Sequence, residues 1–147
     1  MKYTLLLMAI VTMQLVSCRK RKMETLNSPL VTVIKLHAAE ALLDFTEAKR
    51  YEDINKIYKD PSDSNANPED IWREYITSLY NTSKSSKIFT NQFKYFEYDI
   101  LEKTDGDSAE VILKSKNPND NLQAIVYKLE KRQSEWFVFG IEYRKKE

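Results

Sequence analysis

The stretches 122–131 and 135–144 carry apolar side chains on both of their alternating faces, and this limits the fold more than any other feature of the chain. In the first, Ala124 and Val126 oppose Ile125, Tyr127 and Leu129; in the second, Trp136 and Val138 oppose Phe137, Phe139 and Ile141. Successive strand residues point to opposite faces, so a strand apolar on both must be covered on both. Two upstream runs alternate instead. Phe96, Tyr98 and Ile100 are interleaved with Glu97 and Asp99, and Ala109, Val111 and Leu113 with Glu110 and Lys114. Each predicts one buried face and one wet one. Asp105-Gly106 is a hairpin signal between these two runs. Asn117-Pro118-Asn119-Asp120 and Arg132 to Ser134 supply the remaining turns. Everything after Phe89 therefore reads as antiparallel strands.

The preceding half reads as helix. Ser28-Pro29 has the form of an N-cap followed by proline at the first helical position. No glycine or proline follows until after Lys59, and Ile34, Ala38, Ala41, Phe45 and Ala48 recur at helical spacing. Leu36, Ala39 and Leu43 fall nearly opposite, which predicts a helix covered on two sides. A break near Arg50 leads to a short second helix through Tyr51, Ile54, Ile57 and Tyr58. After the turn-forming loop 60–65, Asn67-Pro68-Glu69-Asp70 starts another helix, with acids in the first turn where the helix dipole favours them. Ile71, Trp72, Tyr75, Ile76 and Leu79 form its apolar face, and the Ser- and Lys-rich 81–87 ends it. The fold class is α+β: two to three N-terminal helices packed on a curved antiparallel sheet of four or more strands.

Composition removes several functions. Gly106 and Gly140 are the only glycines, too few for a phosphate-cradling loop or a dinucleotide fingerprint. One histidine and one cysteine cannot supply a zinc finger, a haem-attachment motif or a disulfide framework. No cofactor is expected. Apart from Lys2 and a basic run at 19–22, the chain holds 18 basic and 22 acidic side chains, the wrong sign for nucleic acid.

The N-terminus has the layout of a secretory signal. Lys2 precedes fourteen mostly apolar residues, Tyr3 to Val16. That is shorter than the roughly 20 a membrane-spanning helix needs, and suits a signal-peptide core. It ends in Leu15-Val16-Ser17-Cys18, which resembles a bacterial lipobox. The resemblance implies cleavage between Ser17 and Cys18 and acylation of the Cys18 sulfur, which would tether the chain to a membrane of the cell envelope. The plainer alternative is a short N-terminal helix with an incidental cysteine. Arg19, Lys20, Arg21 and Lys22 follow. Beside anionic headgroups each adds roughly 1 kcal/mol of attraction, while away from them they are a solvated tether. The expected division is a signal peptide at 1–17, an acylated cysteine and basic tether at 18–27, and one domain at 28–147.

Three stretches of that domain resemble the small lipoproteins of diderm bacteria with an NTF2-like (cystatin-like) domain. Asn27-Ser28-Pro29 opens the first helix soon after the lipobox. The run Asp44-Phe45-Thr46-Glu47-Ala48-Lys49-Arg50-Tyr51, leading to Tyr58, is similar to the family's long helix, acidic turn and second short helix. Tyr127-Lys128-Leu129-Glu130-Lys131 followed by Trp136 resembles its closing hairpin. The family often has glycine in the helix-one turn and before that tryptophan; neither is present here. The resemblance implies a cone, with the long helix across a bent sheet and an apolar cleft between them. Fold alone assigns no activity.

Candidate chemistry is sparse. His37, Glu40 and Asp44 share one side of the first helix, enough for a general base or the start of a metal site, but more simply a charged seam between two apolar faces. Glu97 and Asp99 could pair as acid and base, yet they oppose Phe96, Tyr98 and Ile100 and so are expected in water. Trp72, Tyr75, Tyr98 and Trp136 are the candidate lining of a cleft for an apolar or sugar-like ligand, or else core. An uncovered apolar sheet face suggests a homodimer. The expected function is a non-catalytic envelope lipoprotein whose domain binds a protein partner or small ligand. Alternatives are an isomerase- or dehydratase-type enzyme, which requires a deep carboxylate of raised pKa, and an inhibitor of one toxin or hydrolase.

Overall fold

The Ser28 hydroxyl accepts a hydrogen bond from the Val31 N–H at 3.2 Å, and Pro29 opens helix α1, Pro29–Ala41. The computed structural model describes residues 27–63, 65–85 and 98–146; the expected signal peptide, Ser17, Cys18, the basic run, Phe96 and Glu97 lie outside the described residues. Helix α1 buries one stripe, formed by Thr32, Val33, Leu36, His37 and Ala39. Ile34 and Ala38, expected on a second covered face, are exposed. The helix also ends earlier than its periodicity predicts. Leu43 adopts a left-handed φ of 55°, and the Asp44 N–H reaches back to the Ala39 carbonyl at 2.9 Å. This is a helix-terminating turn of a kind that usually takes glycine. Leu43 offsets the strain by packing against the core.

Asp44 then caps the short helix α2, Phe45–Ala48, and Asp53 caps α3, Ile54–Ile57. Helix α4, Pro68–Ser85, begins as expected, with the Asn67 side chain accepting from the Glu69 N–H at 3.1 Å. It runs through residues 81–85 rather than ending there. That segment is polar but holds no glycine or proline, and polarity alone does not stop a helix.

Four strands follow in the order β1-β2-β3-β4, all antiparallel: Tyr98–Asp105, Ser108–Ser115, Leu122–Arg132 and Glu135–Lys145. Gly106, with φ of 58°, makes the first hairpin turn. At the β3–β4 turn Gln133 and Ser134 take φ of 49° and 74°. Both central residues are thus left-handed, the condition of a type I′ turn, without either being glycine. In β4 the pairing slips. Leu129 faces Val138 but Lys128 faces Gly140, which leaves Phe139 as an extra residue. This bulge reverses the alternation: Trp136 and Val138 face the helices before it, and Ile141, opposite Tyr127, does so after it. Ile141 therefore belongs with Trp136 and Val138, not with Phe137 and Phe139.

One core forms between the described helices and one sheet face, from Val33, Leu36, Ala48, Trp72 and Ile76 against Val111, Leu113, Ile125, Tyr127, Leu129 and Val138. The opposite face holds a small buried cluster of Ile112, Ala124 and Val126, bordered by the ion pair Lys128–Glu142 at 3.2 Å. Strand β3 is thus buried on both faces, as its pattern requires. Strand β1 is not as expected: Ile100 is 40% exposed, and of its described residues only Tyr98 packs on the core. Among the described strands it pairs only with β2, and Leu101 is exposed as well. The architecture is α+β, with a few helices on an open four-stranded antiparallel sheet.

Candidate functional site

Residues 51–53 leave the helical path and lie along the free edge of β4. The Val138 N–H donates to the Tyr51 carbonyl and the Asp53 N–H to the Val138 carbonyl, both at 2.8 Å. The result is a parallel bridge between Glu52 and Val138. Bridge partners project to the same face, and Val138 is fully buried in the core. Glu52 is carried inward with it. It is 4% exposed, and neither carboxyl oxygen meets a hydrogen-bonding group of the protein.

An ion-pair cluster holds this segment down. The Arg132 guanidinium donates to Asp53 and to Glu130 at 2.6 Å each, and Lys56 reaches Glu130 at 3.2 Å. Arg132 keeps the Asp53 carboxyl below the usual carboxylate range. For Glu52 the shift is the reverse. Burial, with the negative charge of Glu40 added, pushes its carboxyl up to about 9. At neutral pH Glu52 keeps its proton.

Tyrosines and a second acid surround it. Tyr58, at the end of α3, is pushed far up by burial and by Glu52 and Glu40. Its ring lies 6.2 Å from that of Tyr75 on α4, tilted by 47°. The Tyr75 and Tyr143 hydroxyls meet at 3.3 Å, and burial with that bond raises the Tyr143 phenol. Glu40, on α1, accepts from the Trp72 indole N–H at 3.3 Å. Among the described residues, the groups that shift Glu52, Tyr58 and Tyr143 are acids and phenols. Tyr75 and Tyr143 are 40% and 48% exposed, so this group reaches the surface between α4 and the end of β4. In chemical terms the site offers a neutral carboxylic acid, a second carboxylate, and phenol and indole surface.

The residues expected to line a cleft divide. Trp72 and Tyr75 join the Glu40–Glu52 group, Trp72 as fully buried core with its indole on Glu40 and its ring edge-on to Phe45 at 5.0 Å. Tyr98 sits on β1, three strands from β4 and so about 14 Å across the sheet. Trp136 is buried in the core near the β3–β4 turn with Lys131 over its ring at 5.6 Å. The four do not gather around one cleft.

The charged seam expected on α1 is also absent. His37 is buried, its Nε2 2.6 Å from the Tyr127 hydroxyl and its ring edge-on to that phenol, while Asp44 has left the helix to cap α2. Asp99 is in water, as expected, 3.9 Å from Lys116. Glu52, Tyr58 and Tyr143 were not singled out by sequence as site residues. The Tyr51-Glu52-Asp53 run reads as the start of a helix, and nothing in its local pattern announces a bridge to a strand 86 positions further on.

Two surface depressions lie elsewhere. One, of about 310 Å³, sits by the β1–β2 turn among Lys103, Glu110, Lys128 and Phe139; the other, of about 470 Å³, lies along the outer face of α4. Among the described residues no group of three or more His, Cys, Asp or Glu is placed to hold a metal ion, and no helix is long and apolar enough to cross a membrane. Comparison of the chain with known protein families, with curated proteins and with solved structures finds no match.

Proposed function

We propose that this chain is a lipid-anchored protein of a bacterial envelope whose domain binds a small ligand at Glu52. The observation that carries the binding site is the Glu52 carboxyl, buried, unpartnered and grouped with Glu40 and three tyrosines. An unsatisfied buried polar group of this kind costs a domain about 1–3 kcal/mol, and such costs persist where function requires them. The anchor rests on Leu15-Val16-Ser17-Cys18 after its apolar run. The order of helices followed by a bulged four-stranded antiparallel sheet supports an NTF2-like cone.

The same carboxyl favours a second reading, an isomerase- or dehydratase-type enzyme with Glu52 as general acid, since burial keeps it protonated at neutral pH. Binding is preferred because a general acid works best with a pKa near the working pH, and a carboxyl at about 9 lies well above neutrality.

The test has two arms. Cys18→Ala should move the protein from the membrane to the soluble fraction. Native mass spectrometry of the protein released gently from envelopes should show a small-molecule adduct that Glu52→Gln loses. A membrane-bound Cys18→Ala protein would overturn the anchor, and an adduct-free wild type the binding site.

A further inference from the structure

Among the described residues the two edges of the sheet differ. Along β4 the 51–53 segment bridges to Val138, and the Phe139 bulge interrupts the ladder. Strand β1 carries neither device: it pairs with β2 in unbroken register from Tyr98 to Asp105, and it holds no proline or bulge to keep another strand away. We infer that β1 pairs with β1 of a second copy of this chain, antiparallel and centred on Leu101, joining two four-stranded sheets across a two-fold axis.

The backbone fits this register. Asp105 and Ser108 close the two-residue turn Gly106-Asp107, the place of a hydrogen-bonded pair in such a hairpin. Bonding alternates along an antiparallel ladder, so the N–H and C=O groups of Ile100, Glu102 and Thr104 point away from β2. Centred on Leu101, Ile100 of one copy meets Glu102 of the second, and these outward groups bond one another.

The side chains select the same centre. Leu101 is 51% exposed and lies opposite Ile112, on the sheet face away from the helices. Asp99 and Lys103, two residues to either side, share that face. In the paired strands Leu101 meets Leu101 of the second copy and extends the Ile112–Val126 stripe across the seam. Asp99 meets Lys103 of the second copy, and the symmetry makes this ion pair twice. Lysine at an edge ordinarily repels another strand; here the incoming strand brings the matching acid. Lys103 has no ion pair among the described residues, and Asp99 keeps only a 3.9 Å contact with Lys116 in solvent. Glu102 does not oppose the seam, because its carboxyl is turned to the Leu30 N–H at 2.8 Å. Centring on Glu102 or Lys103 instead would set like charges face to face. An unrelated strand has no reason to carry this complement, whereas a second copy carries it by symmetry.

The experiment is sedimentation of the full-length Cys18→Ala chain in a neutral detergent, with folding checked by circular dichroism. Expected is a reversible monomer–dimer equilibrium between about 1 and 500 µM, the range of a short seam. Lys103→Glu should weaken it at least about tenfold, since two attractive cross-strand pairs become repulsive. Adding Asp99→Lys to Lys103→Glu should restore it to within about threefold of the starting chain. Within one chain the double exchange does the opposite: β2 sets Lys114 opposite position 99 and Glu110 opposite position 103, so each exchange adds like charges. Recovery therefore reports the seam and not the fold. Leu101→Cys should form an interchain disulfide on mild oxidation, because such pairs hold their Cα atoms about 4.5 Å apart. Thr104→Cys, roughly 20 Å from its own counterpart in this register, should not.

A monomer at every concentration overturns the inference. So does a dimer of folded chains that ignores Lys103→Glu or is not recovered by the double exchange; it would join by another surface, such as the outer sheet face. Should the exchanged chains fail to fold, the presence or absence of the Leu101→Cys cross-link decides.

Discussion

Glu52 and Val138 face each other across a single parallel bridge, so a carboxyl shares a sheet face with a valine that water does not reach. The backbone hydrogen bonds of Tyr51 and Asp53 force this placement, and the carboxyl itself gains no partner from it. Stability should show the cost. Below an ordinary glutamate pKa of 4.5, Glu52 is protonated in both folded and unfolded chains. As pH rises toward 9 the unfolded chain gives up that proton and the folded one keeps it, so Glu52 progressively disfavours folding. Glu52→Gln, which cannot ionise, should match wild type below pH 4.5 and be more stable by about 3 kcal/mol at pH 7. Urea unfolding across that range measures the gap; a gap that stays constant with pH would contradict a buried neutral acid.

Arg132 acts on the same segment from outside. Its bond to Asp53 lowers that carboxyl, so the pair stabilises the fold above the ordinary Asp pKa and is lost as pH falls through the lowered value. Arg132→Ala should cost about 1 kcal/mol at pH 7, a modest figure because the guanidinium is part exposed and screened by solvent. The cost should shrink as the solution is acidified toward pH 3. It should also let water reach the 51–53 segment and bring the Glu52 pKa down. A variant with unchanged Glu52 titration would show that Arg132 does not position it.

His37 and Tyr127 are both buried and joined at 2.6 Å from helix α1 to strand β3. Tyr127→Phe keeps the ring in the core and removes the hydroxyl. The expected loss is about 1–2 kcal/mol, the cost of taking a partner from a buried polar nitrogen. It would be read as a lower urea midpoint at pH 7 with an unchanged denaturant slope, and an unaltered midpoint would count against the bond.

Ser134 occupies a left-handed position in the β3–β4 turn. An L-residue there bears roughly 1–2 kcal/mol of strain, while glycine brings about 0.5–1 kcal/mol of added chain entropy to the unfolded state. Ser134→Gly should therefore stabilise by about 0.5–1 kcal/mol. The Asn27 side chain donates to the Ser134 backbone carbonyl at 2.6 Å, a bond the substitution retains. A lower melting temperature would contradict the strain.

Features that depend on neighbouring residues were legible in the sequence. The Ser28-Pro29 and Asn67-Pro68 helix starts, the Asp105-Gly106 hairpin and the two-sided burial of β3 all follow from patterns a few residues long. Three features were not. The α1 stop at Leu43 uses a left-handed leucine in place of a glycine signal, so the apolar spacing runs on past it. The Phe139 bulge inverts the facing of Ile141 without any local cue, because a bulge is a mismatch with the partner strand. Glu52 is hidden for the same reason. Its burial is decided by a bridge to Val138, and in sequence it is one acid among many.

The most direct measurement is the titration of the Glu52 side-chain carboxyl by carbon-13 NMR in the full-length chain, with Glu52→Gln to assign the signal. A midpoint near 9 is the expected result. A midpoint near 4.5 would contradict both the buried acid and the site built around it.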